Sequence, residues 1–161
     1  MFNLKAEFYL KIIFLFSFIA LISAFFIEYI LGHQPCNLCL IERIPYGLSI
    51  MIIMAIFLIK KNQKLLILLL ILTFIFSFTI SFYHFGIEQG FFQESSVCGV
   101  KSSTEIVTKE DLLKQLSEKT ISCKDVTFRI FGLSLTSINI VFSLLFIITL
   151  LKIFKKYEKN K

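Results

Sequence analysis

Four apolar stretches limit what this chain can fold into more than any other feature. They lie at about residues 8–30, 36–59, 65–83 and 131–151. Each is close to or above the roughly 20 residues a helix needs to cross the hydrocarbon of a bilayer. No water is available there to satisfy backbone N–H and C=O groups, so runs of this kind fold as helices. The chain of 161 residues is 57% hydrophobic, above the roughly 45–50% of soluble domains. The expected fold is all-α: a bundle of four transmembrane helices forming one integral membrane domain over residues 1–161. A long outer loop falls at about residues 84–128. A cleaved leader would carry a shorter apolar region and a small-x-small cleavage site. Bulky Phe25, Phe26 and Ile27 follow Ala24 instead, so the first run is read as an uncleaved span.

Charge orients the bundle. Lys5 and Lys11, then Lys60, Lys61 and Lys64, then Lys152, Lys155, Lys156, Lys159 and Lys161 all flank apolar runs. This is the positive-inside pattern, which sends both termini and the 60–64 turn to the cytoplasm. Nucleic-acid binding would need a soluble basic face, and the chain offers none. Tyr9, Tyr29, Tyr46, Tyr83 and Tyr157 fall near span edges, as an aromatic belt would. The outer loop mixes five lysines and Arg129 with Glu88, Glu94, Glu105, Glu110, Asp111, Glu118 and Asp125, so it can be translocated. Within it, Thr108 is a candidate N-cap, Glu110 and Asp111 suit a first turn, and Leu112, Leu113 and Leu116 form an apolar stripe. The loop is too short for its own core, so this amphipathic helix is expected on the membrane surface or packed on its own domain. Ser77, Thr79, Ser81 and Asn139 are polar groups inside spans, expected to hydrogen-bond backbone or neighbouring helices.

The chemistry lies in cysteines. Cys36 and Cys39 make a C-x-x-C at the mouth of the second span, a spacing that can make, break and exchange one disulfide. Pro35 suits a first helical position, and Pro45 predicts a kink that sets residues 36–43 apart from the regular helix. Arg43 falls one helical turn after Cys39 on the same face, where a cation favours a thiolate or a reduced anionic cofactor. Arg43 could instead snorkel or pair with Glu42 or Glu28. Cys98 and Cys123 lie in the outer loop, which puts all four cysteines on one, oxidising, side. Two disulfides are then the default, and four cysteines leave three pairings open. Zinc would want four thiolates or a histidine, so no metal site is expected. Two purely structural disulfides are the stronger rival, but a C-x-x-C bridge closes too short a loop to stabilise much. A membrane dithiol system with no dinucleotide or haem motif needs an electron sink, and a lipid-soluble quinone entering from the bilayer suits a four-helix bundle best.

Pro35-Cys36-Asn37-Leu38-Cys39-Leu40-Ile41-Glu42-Arg43 resembles the P-C-x-L-C-x-x-E-R signature of the DsbB family, the quinone-linked disulfide-bond formation proteins of bacterial inner membranes. Tyr83-His84-Phe85-Gly86-Ile87-Glu88 resembles its Y-H-x-G-x-E stretch, and Phe131-Gly132-Leu133-Ser134-Leu135 its lead-in to the last helix. The resemblance spans nearly the whole chain. It implies that Cys98–Cys123 is the disulfide attacked by a reduced DsbA-like periplasmic thioredoxin-fold oxidase, with Cys98 as the mixed-disulfide partner. Cys123 would pass electrons to Cys36–Cys39, Cys39 would face the quinone (ubiquinone or menaquinone), Arg43 would hold it and His84 would support its site. The expected location is the bacterial inner membrane, multi-pass, in contact with lipid and the quinone pool, with the cysteines periplasmic. Pro45 and Tyr46 depart from the small or apolar residues of the best-known member. A vitamin K epoxide reductase-like oxidase is the nearest alternative, but its cysteine pairs run in a different order along the chain. A non-enzymatic membrane protein with two structural disulfides is the alternative from another class.

Overall fold

The computed structural model describes residues 4–59, 62–94, 98, 122–124, 129–130 and 133–159. The expected loop helix at residues 108–119 lies outside them. Helix α1 spans Leu4–Tyr29, and a short α2 (Asn37–Ile41) is followed at once by α3 (Ile44–Leu58). Helix α4 runs Gln63–Glu88 and α5 runs Leu135–Lys159. A two-residue hairpin leads into α5: β1 (Arg129–Ile130) pairs antiparallel with β2 (Leu133–Ser134), Arg129 opposite Ser134. Four helical segments, taking α2 and α3 together, are long and apolar enough to cross a membrane.

The bundle is held by a short-range mix of apolar and small polar contacts. Helix α4 packs most closely on α5, and α3 fills the space between α4 and α1. Leu10, Ile13, Ile53, Ile67, Leu70, Phe74 and Leu150 form its buried centre. Phe74 meets Phe146 edge-on at 5.1 Å, and Phe16 lies 4.2 Å from Phe142. Small side chains let backbones approach and then bond across the gap: Ser49 to Ser17 at 3.0 Å between α3 and α1, Ser77 to Ser143 at 3.2 Å between α4 and α5. Phe8, Leu15, Met51, Leu72, Phe76 and Val141 are each more than half exposed, and they supply the outward apolar face a bilayer requires.

Several helix ends differ from the expected boundaries. The second span breaks between Ile41 and Ile44, so Pro45 sits in the first turn of α3, where its missing N–H costs nothing. Pro35 precedes the cap instead of occupying the first helical position, because Cys36 is the N-cap of α2. The third helix continues five residues past Tyr83, through His84 to Glu88. It ends on a Schellman motif: Gly90, at φ +78°, donates to Ile87 at 3.0 Å and Phe91 donates to Gly86 at 2.8 Å. Polar His84 and Glu88 stay helical because Glu42 and Thr136 bond their side chains. Gly86 leaves room for the Phe92 ring, which stacks on Tyr83 at 5.7 Å. The fourth helix also runs on into the basic tail, where Lys64 pairs with Glu158 at 3.1 Å and ties the start of α4 to the end of α5. That pair marks one end of the bundle, and the cysteines gather at the other.

Candidate functional site

The site is built where α1 ends, α2 begins, α4 ends and α5 begins. Cys36 caps α2: its Sγ accepts the backbone N–H of Cys39 at 3.3 Å. That turn brings the two sulfurs to 2.8 Å, with both cysteines free. A small movement closes them into a disulfide. The sulfurs and the His84 ring form a set of donors within 4.8 Å of one another. Two thiolates on one tetrahedral zinc would sit about 3.8 Å apart, so the sulfur contact is that of an exchanging pair.

His84 is the third member of this group. It is 2% exposed, its Nε2 is 3.6 Å from Cys36 Sγ and its Nδ1 is 2.8 Å from Glu42 Oε1. An ionised carboxylate only accepts, so Nδ1 carries hydrogen and donates to Glu42. Nε2 then either accepts the Cys36 S–H or, protonated, donates to the Cys36 thiolate. Cys36 and His84 share one proton, the arrangement that activates a sulfur nucleophile.

Glu42 is the hub behind that histidine. Its second oxygen accepts Asn139 Nδ2 at 2.9 Å, and the same Nδ2 donates to Ser81 at 2.7 Å. Asn139 Oδ1 accepts the hydroxyls of Tyr46 and, at 3.3 Å, Ser143. Every polar atom of the Asn139 side chain is therefore used, and its orientation is fixed. A carboxylate 9% exposed in a helix bundle is tolerable because it is bonded on both oxygens. On the far side of His84, Thr136 lies 3.3 Å from Nδ1 and donates to Glu88 Oε1 at 2.7 Å.

Arg43 sits at the break between α2 and α3. It pairs with Glu28 at the end of α1 and lies over the Phe25 ring at 5.4 Å. Arg43 and Cys39 both line a cavity of about 370 Å³ between α1 and α5. Its walls include Phe16, Ala20, Leu21 and Phe142, and Cys36, Glu42, His84, Glu88 and Cys123 also border it.

The loop cysteines join the same place. Cys98 and Cys123 are disulfide-bonded, each 2% exposed, and cluster with Cys36, Leu38 and Ile87. Glu94 anchors the second of them, accepting Ser122 Oγ and, at 3.1 Å, the Lys124 N–H. The loop disulfide is buried against the C-x-x-C. Of the two, Cys123 borders the cavity.

All six residues singled out by sequence thus converge: Cys36, Cys39, Arg43, His84 and Cys123 around the cavity, Cys98 through its disulfide. His84 bears on Cys36 more directly than on the cavity's Arg43 side. Sequence reasoning gave Asn139 only an interhelical hydrogen bond and Glu42 only a pairing with Arg43, and assigned no part in the site to Thr136 and Glu88. A glutamate and an asparagine inside apolar runs were the available signal.

A model of the disulfide bond formation protein DsbB family matches residues 6–153. A protein of Rickettsia prowazekii (strain Madrid E), described as uncharacterized protein RP370, is 31% identical over 147 residues, covering 90% of this chain and 86% of its own. Family match, four-span architecture and paired cysteines agree: the chain belongs to the DsbB family of membrane disulfide-bond formation proteins, and thiol–disulfide oxidoreduction is the activity that membership implies.

Proposed function

We propose that the protein reoxidises a DsbA-like thioredoxin-fold protein through Cys98–Cys123, passes the electrons to Cys36–Cys39, and delivers them to a membrane quinone. The observation that carries this reading is the gathering of both cysteine pairs, with Cys39 partly and the other three fully buried, in one cluster at the rim of an apolar cavity. Exchange proceeds by thiolate attack through a mixed disulfide. The partner's thiolate attacks Cys98 and frees Cys123. Cys123, on the cavity side, attacks the Cys36–Cys39 disulfide. The partner's second thiolate displaces Cys98, and the partner leaves with its own disulfide. The freed Cys98 thiolate then displaces the C-x-x-C sulfur from Cys123 and re-forms the loop bond. The C-x-x-C is left reduced, with His84 holding a proton against Cys36. Cys98 is buried, so attack by a protein partner requires the disulfide to become exposed.

The cavity suits a quinone. Its volume is in the range of small-molecule sites, its walls are apolar, and Arg43 offers a guanidinium donor beside Cys39. Arg43 and Cys39 would hold the ring. A bound quinone would accept the two electrons and two protons released when the Cys36–Cys39 disulfide closes. Helices α1 and α5 touch only lightly, which supports entry from the bilayer between them. The lysine-rich end carrying Lys64 and the tail would face the cytoplasm, and the cysteine end the periplasm. Residues 1–161 would act as a single membrane domain.

The test is quinone reduction by the purified protein given a reduced thioredoxin-fold donor. One quinol per donor disulfide is expected, with none from a Cys39→Ser variant. Donor oxidation that continues without quinone or oxygen would overturn the reading.

A further inference from the structure

Glu88 has no part in the relay described above. Its side chain is 5% exposed, it borders the cavity, and its Oε2 has no hydrogen-bond partner among the described residues. A buried carboxylate oxygen left unbonded is costly and rare. The other oxygen accepts Thr136 at 2.7 Å and lies 3.8 Å from His84 Nε2. That nitrogen is the one facing Cys36 Sγ. Glu88 therefore lies beyond the proton-bearing atom of the thiol pair, with one oxygen toward the histidine and one free.

Resting on the function proposed above, we propose that Glu88 carries a proton from the Cys36–Cys39 dithiol to the cavity. Closing the disulfide breaks two S–H bonds, forms one S–S bond, and releases two electrons and two protons. The electron pair goes to the quinone, whose reduction consumes two protons on the cavity side. Cys39 borders the cavity and releases its proton there directly. Cys36 also borders the cavity, but its sulfur contacts His84 Nε2 at 3.6 Å. Its proton moves to Nε2, because Nδ1 already donates to Glu42. From Nε2 it passes to Glu88 Oε1, 3.8 Å away, and rotation of the carboxyl, whose Oε2 no described residue holds, turns the proton toward the cavity that Glu88 borders. The other described titratable or charged groups around this path are Glu42 behind His84, and His33, Cys39, Arg43 and Tyr46 on the cavity wall. Cys123 is held in its disulfide and does not titrate.

The test uses the full-length protein, reduced, in detergent micelles. Glu88→Gln keeps the shape and an acceptor for Thr136 but cannot carry a proton. Mixed rapidly with a short-chain quinone, it should form quinol about 100-fold more slowly than wild type, with a flattened pH profile. Glu88→Asp should recover part of the rate, and reduction of the loop disulfide by a small dithiol should be unchanged in both. A second readout needs no quinone: the infrared difference spectrum between dithiol and disulfide forms. Wild type should show a carboxyl protonation change that Glu88→Gln lacks. A wild-type rate and pH profile in Glu88→Gln, or no carboxyl change in wild type, overturns the proposal. A wild type that gives the carboxyl signal but reduces no quinone refutes the acceptor and leaves the proton path standing.

Discussion

Replacing Glu42 probes whether one buried carboxylate organises the site. Its two oxygens accept His84 Nδ1 at 2.8 Å and Asn139 Nδ2 at 2.9 Å. Glu42→Gln has the same shape but only one acceptor. Whichever way the amide turns, its NH₂ faces either Asn139 NH₂, a colliding donor pair, or His84 Nδ1, which can accept only by giving up its hydrogen and leaving Nε2 unable to take the Cys36 S–H. The cost is one buried donor left unsatisfied, about 1–3 kcal/mol. Glu42→Ala strands both donors and opens a void, and should cost about 3–5 kcal/mol. Both variants also free His84 to turn, so alkylation of Cys36 in the reduced protein should slow. Reversible unfolding in mixed micelles gives the first quantity and timed alkylation of a Cys39→Ser background the second. Glu42→Gln as stable as wild type, with Glu42→Ala no worse, would refute the hub.

Other substitutions separate neighbouring roles. His84→Ala should leave the four helices intact but slow Cys36 alkylation about tenfold or more at neutral pH, since it removes the imidazole that shares the thiol's proton; an unchanged rate would detach His84 from Cys36. Arg43→Ala should fold yet raise the apparent KM for quinone, and Arg43→Lys should be impaired too, because an ammonium cannot reproduce the planar guanidinium that bonds Glu28 and lies over the Phe25 ring. Steady-state titration with quinone checks both. Gly90→Ala should cost about 1–2 kcal/mol in the same unfolding assay, because the Schellman turn holds residue 90 at φ +78°.

The four spans were legible because a bilayer demands long apolar runs, whatever else the chain does. Their ends were not. His84 and Glu88 read as the start of a polar loop, yet they are helical because Glu42 and Thr136, 42 and 48 residues away, bond their side chains. Asn139 read correctly as an interhelical hydrogen-bonding group, but its partners on α4 and at the α2–α3 break could not be named from spacing. The C-x-x-C and Arg43 were visible as a local pattern. Arg43's bond to Glu28 was one of the weighed alternatives, and it coexists with a place on the cavity wall. The burial of the loop disulfide against Cys36 was invisible, since local spacing says nothing about how a loop folds back.

The direction of electron flow is tested most directly by trapping the mixed disulfide. Each single cysteine variant is incubated with a reduced DsbA-like protein and resolved on a non-reducing gel. Cys123→Ser should accumulate a complex through Cys98, which has lost its resolving partner, and Cys98→Ser should form none. Cys36→Ser and Cys39→Ser should still react with the partner through the loop while delivering no electrons to quinone. A complex that survives loss of Cys98 but requires Cys36 or Cys39 would contradict the account.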